Sequence, residues 1–160
     1  MTIDYEMLGR QLEALATSDK DRLALSANFV ALLYAEMPDI NWLGLYVARG
    51  KELVLGPFQG LPACVRIPFG QGVCGAAAEA METQRIADVH AFEGHIACDP
   101  ASNAELVVPL VSQGTLIGVL DIDSPTADRF SADDQSGVEA LCQQFVAALR
   151  AHGDLGPGFI

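Results

Sequence analysis

Positive charge is scarce in this 160-residue sequence: nine Lys and Arg residues stand against 21 Asp and Glu, for a formal net charge of −12. Nucleic-acid binding depends on clustered Lys and Arg that neutralise phosphates, so the composition argues against a nucleic-acid partner. Long apolar runs are also missing, and no stretch of about 18 uninterrupted apolar residues could cross a membrane. We therefore expect neither nucleic acid nor a membrane as a partner.

Two further patterns are missing. The first residues, MTIDYE, lack the basic and then apolar order of a signal peptide, which favours a cytoplasmic location. The four cysteines include no C-x-x-C pair of the kind found in thioredoxin motifs and zinc knuckles. In a reducing compartment such cysteines are more often catalytic, metal-binding or buried than joined in structural disulfides. The cysteines are thus the first feature to explain.

Hydrophobic spacing divides the chain into helices and strands. Apolar residues at helical spacing predict two N-terminal helices within 3–37 and a closing helix over 132–149. Alternating apolar residues and turn signals predict strands between 41 and 124, with an Ala-rich helix over 73–81 among them. This order predicts a single α+β domain over 1–160, with a mainly antiparallel sheet.

Two segments lack a regular period. The first, 89–103, contains His90, His95 and Cys98, and irregular segments of this length inside a domain are often functional. The second is the tail 152–160, whose three glycines and one proline predict a loose end.

Three of the cysteines are candidates for chemistry. Cys64, Cys74 and Cys98 each lie beside glycine or irregular backbone, where solvent can reach them. Cys74 begins the predicted helix over 73–81, and a helix N-terminus favours a thiolate. Cys142 lies within the last helix beside its apolar stripe, so we expect it to pack in the core. Taken singly, the first three are equally compatible with small buried apolar residues.

A zinc site is an alternative interpretation of the same residues. His90, His95 and Cys98, joined by Cys64 or Cys74, have the donor types that zinc prefers. The absence of closely spaced ligand pairs weighs against this interpretation, and we expect no metal. The plainest interpretation of the two histidines is hydrogen bonding within their loop.

Carboxylates form a second group of candidates. Asp121 and Asp123 are two residues apart on an apolar strand and share one face of it. Two such acids repel each other unless one is protonated or both meet a cation or donors, although a solvent-exposed strand end would also explain them. Glu105 opens the neighbouring strand. A two-residue turn at 113–114 would pair residue 106 with Asp121 and place Glu105 on the opposite face, so Glu105 joins the aspartates only through a bulge or a three-residue turn.

Two aromatic residues on the first strand point to a binding slot. Trp42 and Tyr46 share one face, with Gly44 between them, and either line a slot or are ordinary core aromatics.

Several segments together resemble the free methionine-(R)-sulfoxide reductases, which are built on a GAF domain. The resemblance runs from about residue 41 to 130 and rests on these motifs: NWLGLY (41–46), LVLGPFQG (53–60), GVCG (72–75), DVHAFEGHIACD (88–99) and GVLDIDS (118–124). It implies a GAF-like fold with a six-stranded antiparallel sheet flanked by helices. It also implies reduction of free L-methionine-(R)-S-oxide, but not of methionine sulfoxide within proteins or of the S epimer.

The resemblance also suggests roles for the candidate residues. Cys98 resembles the nucleophile and Cys64 the resolving thiol that forms a disulfide with it, while Cys74 resembles a secondary or alternative thiol. The acids resemble the groups around the sulfoxide and the substrate's ammonium, namely Glu105, Asp121 and Asp123. Trp42 and Tyr46 resemble the walls of the substrate pocket.

The implied chemistry suits these residue types. A carboxylic acid kept neutral by burial can protonate the sulfoxide oxygen, a thiolate can attack sulfur, and a second thiol can close a disulfide. We expect thioredoxin to reduce that disulfide, because no nucleotide-binding fingerprint or other cofactor motif is present. GAF domains often dimerise, so the resemblance also favours a homodimer.

Two alternatives from other functional classes remain open. One is a non-catalytic ligand-binding GAF module, and the other is a redox sensor that uses the same disulfide as a switch. The lack of an attached output domain weighs against the first. The three cysteines and the paired aspartates would also have no role in it.

Overall fold

Six strands and four α-helices make up the part of the chain that this computed structural model describes, residues 2–96, 100–155 and 158–160. The helices are α1 (Tyr5–Ser18), α2 (Arg22–Glu36), α3 (Gly72–Ala80) and α4 (Ala132–Arg150). The strands are β1 (Trp42–Arg49), β2 (Glu52–Gln59), β3 (Arg66–Pro68), β4 (Gln84–Ile86), β5 (Ala104–Ser112) and β6 (Thr115–Ser124). A short 3₁₀ turn covers Val89–Ala91.

All six strands form one sheet in the order β3-β2-β1-β6-β5-β4, and every neighbouring pair is antiparallel. This arrangement confirms the expected α+β fold with a six-stranded antiparallel sheet. The short edge strand β3 pairs with β2. None of the helices in the described ranges has the length and apolar character needed to span a bilayer.

The two faces of the sheet support two separate apolar clusters. On one face, alternate residues such as Leu43, Leu106 and Ile122 pack against α1, α2 and α4. On the other face, residues of opposite parity pack against α3 and form the smaller cluster. Strand alternation therefore decides which residues join the larger core and which face the candidate site.

A β-bulge in the β5–β6 hairpin sets the relative register of the acidic residues. A two-residue turn joins the strands, with φ of 51° at Gln113 and 78° at Gly114. Both residues are in the left-handed conformation, which glycine and asparagine adopt most readily. Val111 pairs with Leu116 but Leu110 pairs with Gly118, so Ile117 is the extra residue. Beyond this bulge, Glu105 is paired with Asp123 rather than with a residue of opposite parity.

The end of the chain is packed against the core at Phe159, so the expectation of a loose tail is wrong there. The Phe159 side chain is 1% exposed, and its ring lies edge-on to Phe145 with 6.0 Å between centroids. Gly118 makes room for it, because a Cβ atom at that position would lie 3.2 Å from Phe159 Cε1.

Candidate active site

A pocket lies between the second face of the sheet and the start of α3, with a volume of about 540 Å³ including its open mouth. Strands β1, β5 and β6 form its floor. The residues that line it include six of the predicted site residues: Trp42, Tyr46, Cys74, Glu105, Asp121 and Asp123. The tertiary structure therefore brings the aromatic, acidic and thiol candidates together.

Two aromatic side chains of β1 form one wall. Trp42 and Tyr46 are stacked with 6.0 Å between ring centroids. Their polar atoms hold the segment above the pocket, since Trp42 Nε1 donates to the Leu61 carbonyl at 3.0 Å and the Tyr46 hydroxyl donates to the Cys64 carbonyl at 2.9 Å. Both rings are buried and line the pocket.

Gly44 allows the two rings to lie where they do. A Cβ atom at this position would lie only 2.5 Å from Trp42 Cη2 and 2.5 Å from Phe58 Cβ. The Trp42 ring therefore packs directly over the glycine backbone, with the Phe58 ring on its other flank at 5.4 Å between centroids.

The three acids share the pocket face because of the strand register. Asp123 pairs with Trp42 on one side and with Glu105 on the other, and Asp121 pairs with Gly44. Glu105 and Asp121 are each 6% exposed, and Asp123 is half-buried. The interpretation of Asp121 and Asp123 as a solvent-exposed strand end is therefore wrong for Asp121.

Burial decides the protonation of these acids. The pKa of Glu105 is raised well above its ordinary value, chiefly by burial and then by the charges of Asp121 and Asp123. Burial also raises the pKa of Asp121, although hydrogen bonds from its neighbours oppose the shift. Two such carboxyls cannot readily carry charge side by side, so burial and mutual repulsion favour holding a proton on the cluster. Burial and the same acids raise the pKa of the Tyr46 hydroxyl.

Cys74 lies in the first turn of α3, as expected, but it is a protonated thiol. Its Sγ donates a long hydrogen bond of 3.8 Å to Glu105 Oε1. Complete burial, followed by the charges of Asp121, Glu105 and Asp123, raises the pKa of the thiol. The expectation of a solvent-accessible thiolate stabilised by the helix is wrong, because desolvation and three nearby acids outweigh the helix dipole.

His95 is a pocket residue that the sequence analysis did not select as a site residue. Its Nε2 lies 3.9 Å from Glu105 Oε2, and burial and the adjacent His90 lower its pKa, so the ring is neutral. His90 instead has its ring Nε2 3.0 Å from the side-chain oxygen of Asn103, which agrees with the expected loop hydrogen bonding. Position in an irregular, polar loop was the only sequence signal for His95.

The remaining three cysteines lie in different parts of the chain's structure or outside the described residues. Cys142 is a free thiol buried in the larger core, as expected. Cys64 is half-buried beside the pocket, where its carbonyl accepts the Tyr46 hydrogen bond. Cys98 lies outside the described residues, and so do the expected Cys64–Cys98 disulfide and the zinc set that would include Cys98.

The fold is that of a known domain family. The GAF domain family model matches residues 13–149, and the chain belongs to the GAF domain family.

More similar proteins within the GAF domain class identify the family to which the chain belongs. The sequence is 52% identical over 145 residues to the free methionine-R-sulfoxide reductase of Escherichia coli, covering 91% of this chain and 88% of that protein. Its fold matches the reduced form of fRMsr from Staphylococcus aureus with a TM-score of 0.88 and 45% identity, covering 92% and 96% of the two chains. It also matches the free methionine-R-sulfoxide reductase of Neisseria meningitidis in complex with its substrate, with a TM-score of 0.88 and 39% identity over 92% and 89% of the chains. The chain is thus a member of the free methionine-R-sulfoxide reductase family, a family of oxidoreductases.

Proposed function

We propose that residues 1–160 act as one enzyme domain that reduces free L-methionine-(R)-S-oxide to L-methionine. The observation that carries the proposal is the buried group of Cys74, Glu105 and Asp121 in the pocket that Trp42 also lines. This group places a carboxyl whose pKa is raised by burial in an acidic, partly apolar pocket. The similarity to reductases of this name in E. coli and N. meningitidis supports the same substrate.

Each part of a free amino acid finds a suitable partner in the pocket. The apolar chain and sulfoxide methyl lie along Trp42 and Tyr46, and an ionised aspartate, Asp121 or Asp123, holds the ammonium group. The carboxylate meets backbone N–H groups at the start of α3, which has no side-chain cap and whose Gly72 lines the pocket. Methionine inside a protein lacks both charged groups, so this arrangement favours the free amino acid.

The reaction then follows from proton and thiol chemistry. The neutral Glu105 carboxyl donates its proton to the sulfoxide oxygen while the Cys98 thiolate attacks the sulfur. Methionine leaves, and Cys98 keeps the oxygen as a sulfenic acid. The Cys64 thiol condenses with it, which releases water and forms a Cys64–Cys98 disulfide. Thioredoxin reduces that disulfide by exchange, so one sulfoxide consumes one dithiol.

Cys74 is assigned a secondary role in this cycle. Its protonated, buried thiol is poorly suited to attack either the sulfoxide or the sulfenic acid, so it replaces Cys64 as resolving thiol only slowly. The cycle needs no cofactor. A thioredoxin-dependent cycle belongs in a reducing compartment, which favours the cytoplasm, and we further propose a homodimer.

A reductase assay driven by dithiothreitol tests the proposal. Methionine should form from free methionine-(R)-sulfoxide and not from the S epimer. Cys98→Ser should abolish turnover, and Cys142→Ala, which removes a thiol from the core outside the pocket, should retain it. Absence of methionine from the R epimer would refute the enzyme and favour a ligand-binding or redox-sensing module.

The resolving role is tested separately. On oxidation, Cys74→Ser protein should form the intramolecular disulfide as fast as the native chain by mass spectrometry, whereas Cys64→Ser protein should form one only slowly, through Cys74. The reverse pattern would assign the resolving role to Cys74.

A further inference from the structure

Three buried donor atoms in the pocket are close enough to share one metal ion. Cys74 Sγ and one carboxylate oxygen each from Glu105 and Asp121 all lie within 4.8 Å of one another. The Cys74 Sγ to Glu105 Oε1 distance is 3.8 Å. In a tetrahedral zinc site with Zn–S near 2.3 Å and Zn–O near 2.0 Å, sulfur and oxygen ligands are about 3.5 Å apart. The Cys74–Glu105 pair would therefore need a shift of only a few tenths of an ångström, and the other two pairs lie within 4.8 Å.

A second, independent observation concerns Asp121. Its Oδ1 atom is buried and has no hydrogen-bond partner among the described residues, although the residue lines the pocket and is 6% exposed. An unpartnered buried carboxylate oxygen is unfavourable and accepts a donor or a cation readily. No Lys or Arg is among the described residues that line this pocket.

A histidine lies beside the group, on the Glu105 side, without belonging to the set of three. His95 Nε2 lies 3.9 Å from Glu105 Oε2, the carboxylate oxygen that does not contact Cys74. A neutral imidazole nitrogen is a good ligand for borderline cations, and one thiolate in the set favours Zn²⁺, Co²⁺ or Cd²⁺ over Mg²⁺ or Ca²⁺.

We propose that Cys74, Glu105 and Asp121 form a site for a thiophilic divalent cation such as Zn²⁺, with His95 or water as the fourth ligand. This inference goes beyond the proposed function, because it assigns a second ligand, a cation, to the pocket that the amino acid is proposed to occupy. An occupied site excludes the substrate, so the cation acts as a competitive inhibitor and not as a cofactor.

Cobalt titration without thiol reductants tests the site, in a Cys64→Ser/Cys98→Ser protein that lacks the other two proposed redox thiols. One equivalent of Co²⁺ should give a near-ultraviolet thiolate-to-cobalt band and visible bands of tetrahedral intensity, and Zn²⁺ should remove both. Adding Cys74→Ala should abolish the ultraviolet band, and adding Cys142→Ala should leave it unchanged. Mg²⁺ and Ca²⁺ should not displace cobalt.

Two outcomes would overturn the proposal: no thiolate band in the folded protein, or a band that persists in the Cys74→Ala variant. If that variant does not fold, Asp121→Asn serves instead and should weaken cobalt binding by about tenfold or more. Unchanged cobalt affinity in a folded Asp121→Asn protein would likewise refute the site.

A last experiment tests whether the substrate and the cation exclude each other from the pocket. This experiment rests on the proposed function. Free methionine-(R)-sulfoxide should displace Co²⁺ from the same protein, which cannot turn it over. A protein that binds cobalt but reduces no sulfoxide would refute only the enzyme, whereas an active reductase that binds no cobalt would refute only the cation site.

Discussion

The burial of the Glu105 carboxyl favours the proposed activity but lowers the stability of the fold. Burying a carboxyl beside two aspartates raises its pKa and favours holding the proton that the proposed reaction uses. The same burial is unfavourable whenever the unfolded chain would release that proton. The residue is therefore a site where activity and stability oppose each other.

We predict that Glu105→Gln is more stable than the native protein at neutral pH, by about 1 kcal/mol, and at least about 10²-fold less active. Because the folded-state pKa is raised, the native carboxyl is neutral in both states at low pH and carries no penalty there. The penalty grows as pH rises from the ordinary carboxyl pKa towards the folded value, since only the unfolded chain then loses its proton. Denaturant unfolding at several pH values measures the difference.

The exposed Glu13→Gln variant is the control and should show no such pH-dependent gain. A Glu105→Gln protein with native activity would show that another group supplies the proton.

The single tryptophan of the chain reports on the packing over Gly44. We predict that Gly44→Ala displaces the Trp42 ring, because the new methyl group would lie 2.5 Å from it, and that overpacking costs about 1–3 kcal/mol. Tryptophan emission should shift to longer wavelength, and the KM for the sulfoxide should rise more than kcat falls. Gly9→Ala on α1, where the nearest atom belongs to the flexible Gln144, is the matched control. Native emission and native KM in Gly44→Ala would contradict this account.

At the scale of elements, the bulge at Ile117 decides which acids meet. The hairpin turn at 113–114 and the strand pattern could be predicted from the sequence. Together they placed Glu105 on the face opposite to the aspartates unless the hairpin contained a bulge. Only the pairing itself shows that one extra residue in β6 resolves the conflict and pairs Glu105 with Asp123. A bulge has a weak local signal, because it depends on how two strands pack and not on one residue type.

Deleting Ile117 should therefore remove the bulge without separating the acids. Ile117 is the extra residue, so every residue of β6 beyond it keeps its partner on β5, and Glu105 still pairs with Asp123. Ile117→Ala keeps the bulge and should lose about 2–4 kcal/mol of unfolding free energy. Both variants should retain kcat at a temperature where they are folded, as circular dichroism and the reductase assay can show. A folded deletion protein with a kcat far below that of the alanine variant would contradict this register.

At the scale of the whole molecule, the end of the chain closes the larger core. Phe159 fills the space above Gly118 and meets Phe145, so the last residues contribute to the packing on that face of the sheet. Composition alone predicted a loose tail, because glycine and proline dominate the segment and one aromatic residue gives no period.

We predict that Phe159→Ala lowers the free energy of unfolding by about 3–5 kcal/mol, because it leaves a cavity in the core. The neighbouring Ile160→Ala variant removes a largely exposed side chain and should cost about 0.5 kcal/mol or less. Urea unfolding compares them directly. A Phe159→Ala protein as stable as Ile160→Ala would show that the tail does not pack in solution.

The sequence by itself determined the α+β class, the antiparallel sheet, the nature of the acidic and aromatic candidates and, through several motifs in order, the family. The class, the sheet and the candidates follow from periodicity and residue chemistry, which are local properties, and the family follows from the resemblance of the motifs. The tertiary structure decided that Cys74 is a buried neutral thiol, that His95 faces Glu105 and that the tail is packed. Desolvation and contact between distant segments produce these features, and neither has a signature in the order of residues along one strand or helix.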